Sequence, residues 1–490
     1  MSEFIKKSVK RINAQAIDAE KGVFLSIFLF FLISLALVFS FDGTGDAGDA
    51  ISHYQYARYA FIHPEHFFNH WAKPFFVLLA APFAHFGFIG IKIFNVICAT
   101  ISLIFTYKIA RKLSFPNAWL APFILASCSG YFTLMFSGLT EFLCAAMLSA
   151  AVYGFISKKN WVFETIIISF LPFVRSEGLL IIGVIALYLI LKKQWKLLPL
   201  LATGHVVYAL AGYGLGFHKD IGWVFSKMTY ATLHAYGSGT LFHFIDKLYY
   251  LTGLPHFIFW LIGTIAFLVK IPAYRTGRLR GSLGRYFLEL GLLVFGIFFT
   301  LLVAHSLFWY LGIFLSFGLS RVLNAVMPFF ALIALFGFNN FLNIIKNIKA
   351  QSIVKQLIII YFIIFQAIRH PSSINWKTDL SLDKSQVLAN QVTLFLKEKY
   401  PSDTYFYLHP HIPFALEMDN FDKTRFRNFT DIKDTVNVTN HSIFIWDSLF
   451  CKIDGGMSLE DALQNPKLEM IKSWETDDKA YRFAILKLKK

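Results

Sequence analysis

The sequence predicts an all-α polytopic membrane protein of about eleven transmembrane helices, ending in a small α/β domain outside the membrane. Three observations carry this. Of the 490 residues, 56% are hydrophobic and only 16% charged, against roughly a quarter charged in a soluble domain. The apolar residues run in blocks, such as 23–41 and 286–303, close to the ~20 residues that span a bilayer as a helix. After His370-Pro371 those blocks stop and a mixed, soluble pattern begins.

Taken in order, spans are expected at 23–41, 88–110, 118–136, 139–157, 161–174, 178–191, 197–216, 249–270, 286–304, 320–339 and 356–370. Residues 161–174 and 178–191 are short for a crossing, so they extend further or bury a kinked junction. The first block is too long for a signal-peptide core and has no small-residue cleavage site, so it remains as a helix. Orientation follows the basic residues. With 1–22 as a basic cytoplasmic N-terminus, the clusters Arg111/Lys112, Lys158/Lys159, Lys192/Lys193/Lys196, Lys270 to Arg285 and Lys346/Lys349/Lys355 all fall inside. The loop 42–87, the turns 137–141 and 175–178, and the loop 217–248 then lie outside. Residues 305–320 join them as an amphipathic or re-entrant piece. Counting 74–87 as a crossing would flip every later loop, so it is expected as a helix in the outer interface.

The chain thus divides into the N-terminus 1–22, a membrane domain 23–371 and a soluble domain 372–490. In the last, a helix is expected at 385–399, strands at 404–408, 442–446 and 481–488, and a helical turn at 459–463. About 120 residues suffice for a small α/β domain. This tail holds 16 Lys+Arg against 17 Asp+Glu, so the surplus of the +16 chain sits in the membrane part. Short basic clusters between apolar blocks are cytoplasmic loops rather than a nucleic-acid face. The four cysteines, Cys98, Cys128, Cys144 and Cys451, form neither a disulfide framework nor a metal spacing.

Chemistry-bearing residues gather in the outside segments. Asp42, Asp46 and Asp49 follow the first span within eight residues, interleaved with Gly43, Gly45 and Gly48. A helix starting near Asp49 would present His53 and Tyr56 on one face, with Tyr54 between them. The structural alternative is that Asp49 is an N-cap. Arg175 and Arg321 stand at outer ends of apolar spans, where a charge usually has a partner or a task. Guanidinium suits phosphate, yet Arg175 could equally bridge to Glu177 or Glu141. Lys73, before Pro74, is a phosphate contact or an interfacial anchor. Glu141, His53, His243 and Tyr236 are candidates to line a cleft. Three aspartates could take a divalent cation, but no His/Asp cluster has ligand spacing, and no metal is expected.

An acidic residue just after the first span, then an amphipathic helix, resembles the GT-C superfamily of membrane glycosyltransferases. His70-Trp-Ala-Lys-Pro-Phe-Phe through Phe86-Gly, then Lys92-Ile-Phe-Asn and Tyr107-Lys-Ile-Ala-Arg-Lys-Leu, resemble its passage into the second span. Gly138-Leu-Thr-Glu, Arg175-Ser-Glu-Gly and Gly318-Leu-Ser-Arg-Val-Leu-Asn resemble short motifs of its prokaryotic and mannosyltransferase branches. The shared order covers residues 20–370. The chain departs in having Gly-Asp-Ala where several branches have Asp-Glu or His-x-Asp-Glu, which leaves open which aspartate is the base.

The resemblance implies an inverting transferase that moves one sugar, by analogy mannose, from a polyprenyl-phosphate donor. The acceptor would be a glycan, lipid or protein hydroxyl at the outer face, most simply of a bacterial inner membrane, with no cofactor. A lipid phosphate leaves without a general acid, so one carboxylate suffices to take the acceptor proton. Asp49 is assigned that role, with Asp46 second. Arg321, Arg175 and Lys73 are assigned to the donor phosphate. Glu141, Glu177, His53, Tyr54, Tyr236 and His243 are assigned to the acceptor cleft. A flippase of lipid-linked sugars would favour inverted repeats and midplane ionisable groups, and neither is present in the sequence. A lipid-linked oligosaccharide ligase or polymerase would pair a large outer loop with Arg and His.

Overall fold

Apolar sequence becomes membrane-length helix at seven places among the described residues: Glu20–Val38, Phe88–Lys112, Trp195–Gly214, Leu254–Ile271, Leu290–Leu311, Ser320–Ile344 and Ile348–Phe365. The computed structural model describes residues 2–158, 160–226, 236–275, 282–433 and 438–489. Lys159 and residues 276–281 of the basic cluster 270–285 lie outside these. Four shorter apolar helices, Pro74–Ala84, Glu141–Ser157, Val162–Phe173 and Gly178–Leu191, pack among the long ones. The chain is an integral, multi-pass membrane protein.

Helices α1 (Ser2–Val38), α2 (Asp49–Arg58), α3 (Pro74–Ala84) and α4 (Phe88–Lys112) open the chain. At 1.5 Å per residue α3 is about 16 Å long, half the ~30 Å hydrocarbon core. It packs on α2 and α4, which suits the interfacial placement expected for 74–87. Later helices cross closely where small residues allow it. A Cβ on Gly337 would come within 1.9 Å of the Phe259 carbonyl oxygen, so Leu254–Arg275 and Met327–Ile344 touch backbone to backbone.

Several expected boundaries are corrected. The span expected at 118–136 is two short helices, Leu120–Ala126 and Ser129–Leu134. Backbone freed within the protein must find partners there, and it does. Gln366 Nε2 donates to the Ser127 carbonyl at 2.5 Å, and the Ser129 hydroxyl ties the break to the later chain by donating to the Ser372 carbonyl at 2.7 Å. The span expected at 249–270 is likewise split at Gly253 into His243–Thr252 and Leu254–Arg275. The final span runs Ile348–Phe365 rather than 356–370. The re-entrant piece expected from 305 begins later, because Ile297–Leu311 remains helical through His305.

The basic clusters share one end of the bundle. Helices α4, Glu141–Ser157 and Gly178–Leu191 each start beside the acidic loop and end at Arg111/Lys112, Lys158 and Lys192. Arg111 pairs there with Glu20, Lys192 with Glu289 at 3.0 Å, and Lys355 with Asn117.

At the other end sits the C-terminal domain. Strands β1 (Thr404–Tyr407), β2 (Phe426–Asn428), β3 (Ser442–Asp447), β4 (Leu468–Glu475) and β5 (Arg482–Leu488) form a sheet in the order β2-β1-β3-β5-β4. β1 runs parallel to β2 and β3, and β5 is antiparallel to β3 and β4. The helix Lys384–Lys399, started by an Asp383/Gln386 capping box, covers one face through Leu388, Val392 and Leu396. The domain is docked on the acidic loop. Gly43 N–H donates to Leu380 O at 3.0 Å, Gln386 Nε2 to Thr44 Oγ1 at 2.7 Å, and His63 Nε2 lies 2.7 Å from Asp419 Oδ2.

Candidate functional site

The loop after α1 ends in two aspartates with different tasks. The Asp46 carboxylate accepts from Gly48 N–H at 3.0 Å and Ala50 N–H at 2.9 Å. It therefore satisfies donors at the start of α2 that the helix itself leaves open. Asp49 is not the N-cap; that position is Gly48, and Asp49 is the first helical residue. Its carboxylate is free to point outward and accepts from Arg321 Nη2. Asp42 stands exposed at the start of the loop.

From Asp49 an alternating chain of ionisable groups runs across four further elements. Arg321, in the 3-10 turn Ser320–Val326, also approaches Asp46 Oδ2 at 3.3 Å and Glu141 Oε1 at 3.5 Å. Glu141 opens the helix Glu141–Ser157 and is 1% exposed. The same oxygen lies 2.9 Å from Arg175 Nη1. Arg175 continues to Glu177 Oε1 at 2.9 Å, and its Nη1 donates to Thr140 Oγ1 at 3.2 Å. Glu177 in turn lies 3.3 Å from His305 Nε2. Glu141, Glu177 and Asp49 each sit at a helix N-terminus, where backbone dipoles favour negative charge. Two guanidinium groups are thus held by four carboxylates.

These neighbours set the acidities. Burial works to raise Asp49, but Arg321, His53 and Arg175 outweigh it and hold the carboxyl below its ordinary range. Burial wins at Asp46, aided by the Asp49 charge, and its carboxyl is raised despite Arg321 and two backbone donors. Glu177 is held well below its ordinary range, because Arg175 and His305 overcome its burial. His53 is pushed down to about 3, by burial first and by Lys73, Arg321 and Arg175 after it. It is therefore neutral near pH 7. Asp49 keeps 46% of its side chain open, so it alone of the aspartate pair presents much surface to a reactant.

The other expected residues distribute around this chain. His53 is buried and stacked on Trp71, centroids 4.9 Å apart. Lys73 Nζ donates to Ser176 Oγ at 2.7 Å, beside Arg175. Tyr236 bonds to Asp454 of the C-terminal domain, within the field of Asp49. Tyr54 is corrected: five residues beyond Asp49 it points to the other side of α2. There its hydroxyl accepts from Arg58 at 2.7 Å and its ring meets Phe88 and Phe414. His243 is also spent elsewhere, since its Nε2 lies 2.8 Å from the Gly318 carbonyl oxygen and steadies the turn before Arg321. Sequence reading missed His305, Thr140 and Asp454 as members. An ionisable residue within an apolar span was the available signal for His305. Among the described residues no group of three His, Cys, Asp or Glu side chains is arranged to hold a metal ion.

No family model and no curated protein sequence matches the chain. Its three-dimensional form is similar to that of ArnT from Cupriavidus metallidurans in two crystal structures. The one bound to undecaprenyl phosphate superposes with a TM-score of 0.56 at 11% identity, covering 95% of this chain and 98% of that one. The apo state gives 0.55 at 12% identity, covering 96% and 98%. The likeness spans both the membrane bundle and the C-terminal sheet domain, and the chain has an ArnT-like GT-C fold.

Proposed function

We propose that this protein is an inverting glycosyltransferase that moves a single sugar from a polyprenyl-phosphate carrier to an acceptor hydroxyl outside the membrane, with Asp49 as general base. The observation that carries this is a half-open carboxylate at the start of α2, set beside Arg321 with Arg175 one carboxylate further on. A GT-C fold like that of a protein crystallised with undecaprenyl phosphate supports the donor class.

The acceptor oxygen attacks the anomeric carbon while its proton passes to Asp49. The bond from that carbon to the phosphate oxygen breaks, and its electron pair leaves with the polyprenyl phosphate. One displacement inverts the anomeric centre. Charge grows on the departing phosphate, where preorganised donors act most strongly. Arg321 has five N–H donors, enough to meet a phosphate while still touching a carboxylate. As phosphate takes its share of Arg321, Asp49 loses part of the cation that holds its basicity down and becomes a better base. Arg175 and Lys73 flank the same position. Mannose is the proposed sugar and the bacterial inner membrane the proposed location, on the resemblance of the Gly138, Arg175 and Gly318 motifs to those of prokaryotic and mannosyltransferase branches.

Purified protein supplied with radiolabelled polyprenyl-phosphate mannose, with glucose and aminoarabinose donors in parallel, tests the reading. Asp49→Asn should insert normally and lose about 10²–10⁴ in rate, the usual worth of a general base. Asp46→Asn keeps the backbone cap and should retain most activity. Full activity in Asp49→Asn removes it as base, and the reverse pattern moves the base to Asp46.

A further inference from the structure

We propose that a cavity between α2 and the C-terminal domain binds a sugar ring of the acceptor, so that the acceptor is itself a glycan. This rests on the transferase reading above and names its second substrate. The cavity, about 280 Å³, is lined by Gln55, Tyr56 and Trp71 on one side and by Tyr407, Asn420 and Phe421 of the C-terminal domain on the other. That is near the ~300 Å³ lower end of small-molecule sites, a size for one ring rather than a lipid tail or a folded peptide.

Its chemistry is that of a carbohydrate site. Tyr56 packs against Trp71 and Phe421, with centroids at 5.7 and 4.8 Å, and aromatic walls of this kind pack against the C–H faces of a pyranose. Two polar atoms in its walls are unspent. Gln55 is 3% exposed, yet its Nε2 has no hydrogen-bond partner. Asn420 Oδ1 is also buried and unpartnered, while the same side chain engages the Tyr407 hydroxyl. A buried donor left without a partner destabilises the fold that holds it. One donor and one acceptor lie buried and unpartnered in side chains of the cavity wall, and a turn of each side chain would let a pair of sugar hydroxyls, each both donor and acceptor, satisfy them.

Position ties the cavity to the base. Ser52, which also lines it, and Tyr56 follow Asp49 at three and seven residues, on the same face of α2. Three residues advance the helix about 4.5 Å, which sets the near edge of the cavity lining one turn along α2 from Asp49. Neither domain makes the cavity alone, which gives the docking of the C-terminal domain on the acidic loop a direct use.

The test is saturation-transfer NMR on the full-length protein in nanodiscs, using methyl α-mannoside, methyl β-glucoside and methyl N-acetylglucosaminide. At least one glycoside should bind wild type. Gln55→Leu and Tyr407→Phe should each weaken it about tenfold, the worth of one hydrogen bond. Gln55→Leu should leave Tm unchanged or raise it, because it removes an unpartnered donor. Asp49→Asn should still bind the glycoside while losing transfer. Absence of binding to wild type, or binding indifferent to both variants, overturns the proposal. So does a fall in Tm for Gln55→Leu with binding intact. If the residues bind glycoside but wild type transfers nothing from any polyprenyl-phosphate donor, the transferase reading fails and the acceptor assignment falls with it, leaving a sugar site of another kind.

Discussion

Asp46 and Asp49 are three residues apart, and a single guanidinium touches both, yet their surroundings drive them in opposite directions. The sequence showed the two acids and the two arginines but not this division of labour, since capping geometry depends on a turn that spacing alone does not specify. A pH prediction follows from the direction at Asp49. Its folded value lies below the ordinary 3.8 because cations outweigh burial, so wild-type kcat/KM should stay flat down to that region. In Arg321→Ala burial, the largest influence, is opposed by less charge, and the acid limb of the residual activity should move up. An unmoved limb would show that Arg321 does not govern the base. Glu177 gives a stability counterpart. Its folded value lies well below the ordinary 4.5, so its ionic contacts contribute fully above pH 4.5. That contribution is lost as pH falls from there through the folded value. Glu177→Gln should therefore cost about 1.5–3 kcal/mol near neutrality, and thermal melting in detergent should show the gap closing in acid.

At the scale of elements, long helices were legible because an unbroken apolar run has few other uses. The breaks were not. Ser127-Cys128 interrupts apolar sequence with no proline at the break, Pro255 marks the break at Gly253 only as the second residue of the next helix, and each break depends on groups far along the chain, such as Gln366 and Ser372. In the C-terminal domain the central strands β1, β3 and β5 were expected, while the outer strands β2 and β4 were missed. β2 is three residues long, and β4 carries an irregularity between Met470 and Lys472 that spoils its alternation. The position of α2 against the turn 137–141 was likewise invisible, although it aims Asp49. A Cβ on Gly138 would sit 2.2 Å from the Ala50 carbonyl oxygen, so Gly138→Ala must push the start of α2 away from Glu141. It should lower kcat by roughly a hundredfold, the cost of about 1 Å of misplacement, while membrane insertion and expression stay normal. Wild-type turnover in this variant would mean that α2 tolerates a shift and that its close docking is not needed for catalysis.

For the whole molecule, one arrangement of charge explains both ends of the bundle. Lys and Arg clusters close one end, and the acidic loop, the two site arginines and the C-terminal domain close the other. Positive clusters stay on the cytoplasmic side, so the site and the C-terminal domain should face outward. Cysteine labelling tests this directly, because Cys98, Cys128, Cys144 and Cys451 are all buried in the native chain and give little background. Ser372, at the junction of the domains, is only 1% exposed and is a poor reporter. Ser402 and Lys112 are exposed at opposite ends. Ser402→Cys should react with a membrane-impermeant maleimide in intact cells, and Lys112→Cys only after permeabilisation. The opposite pattern would place Asp49 in the cytoplasm, where a sugar nucleotide rather than a lipid-phosphate sugar is the available donor class. The orientation and the donor assignment therefore stand or fall on the same pair of labels.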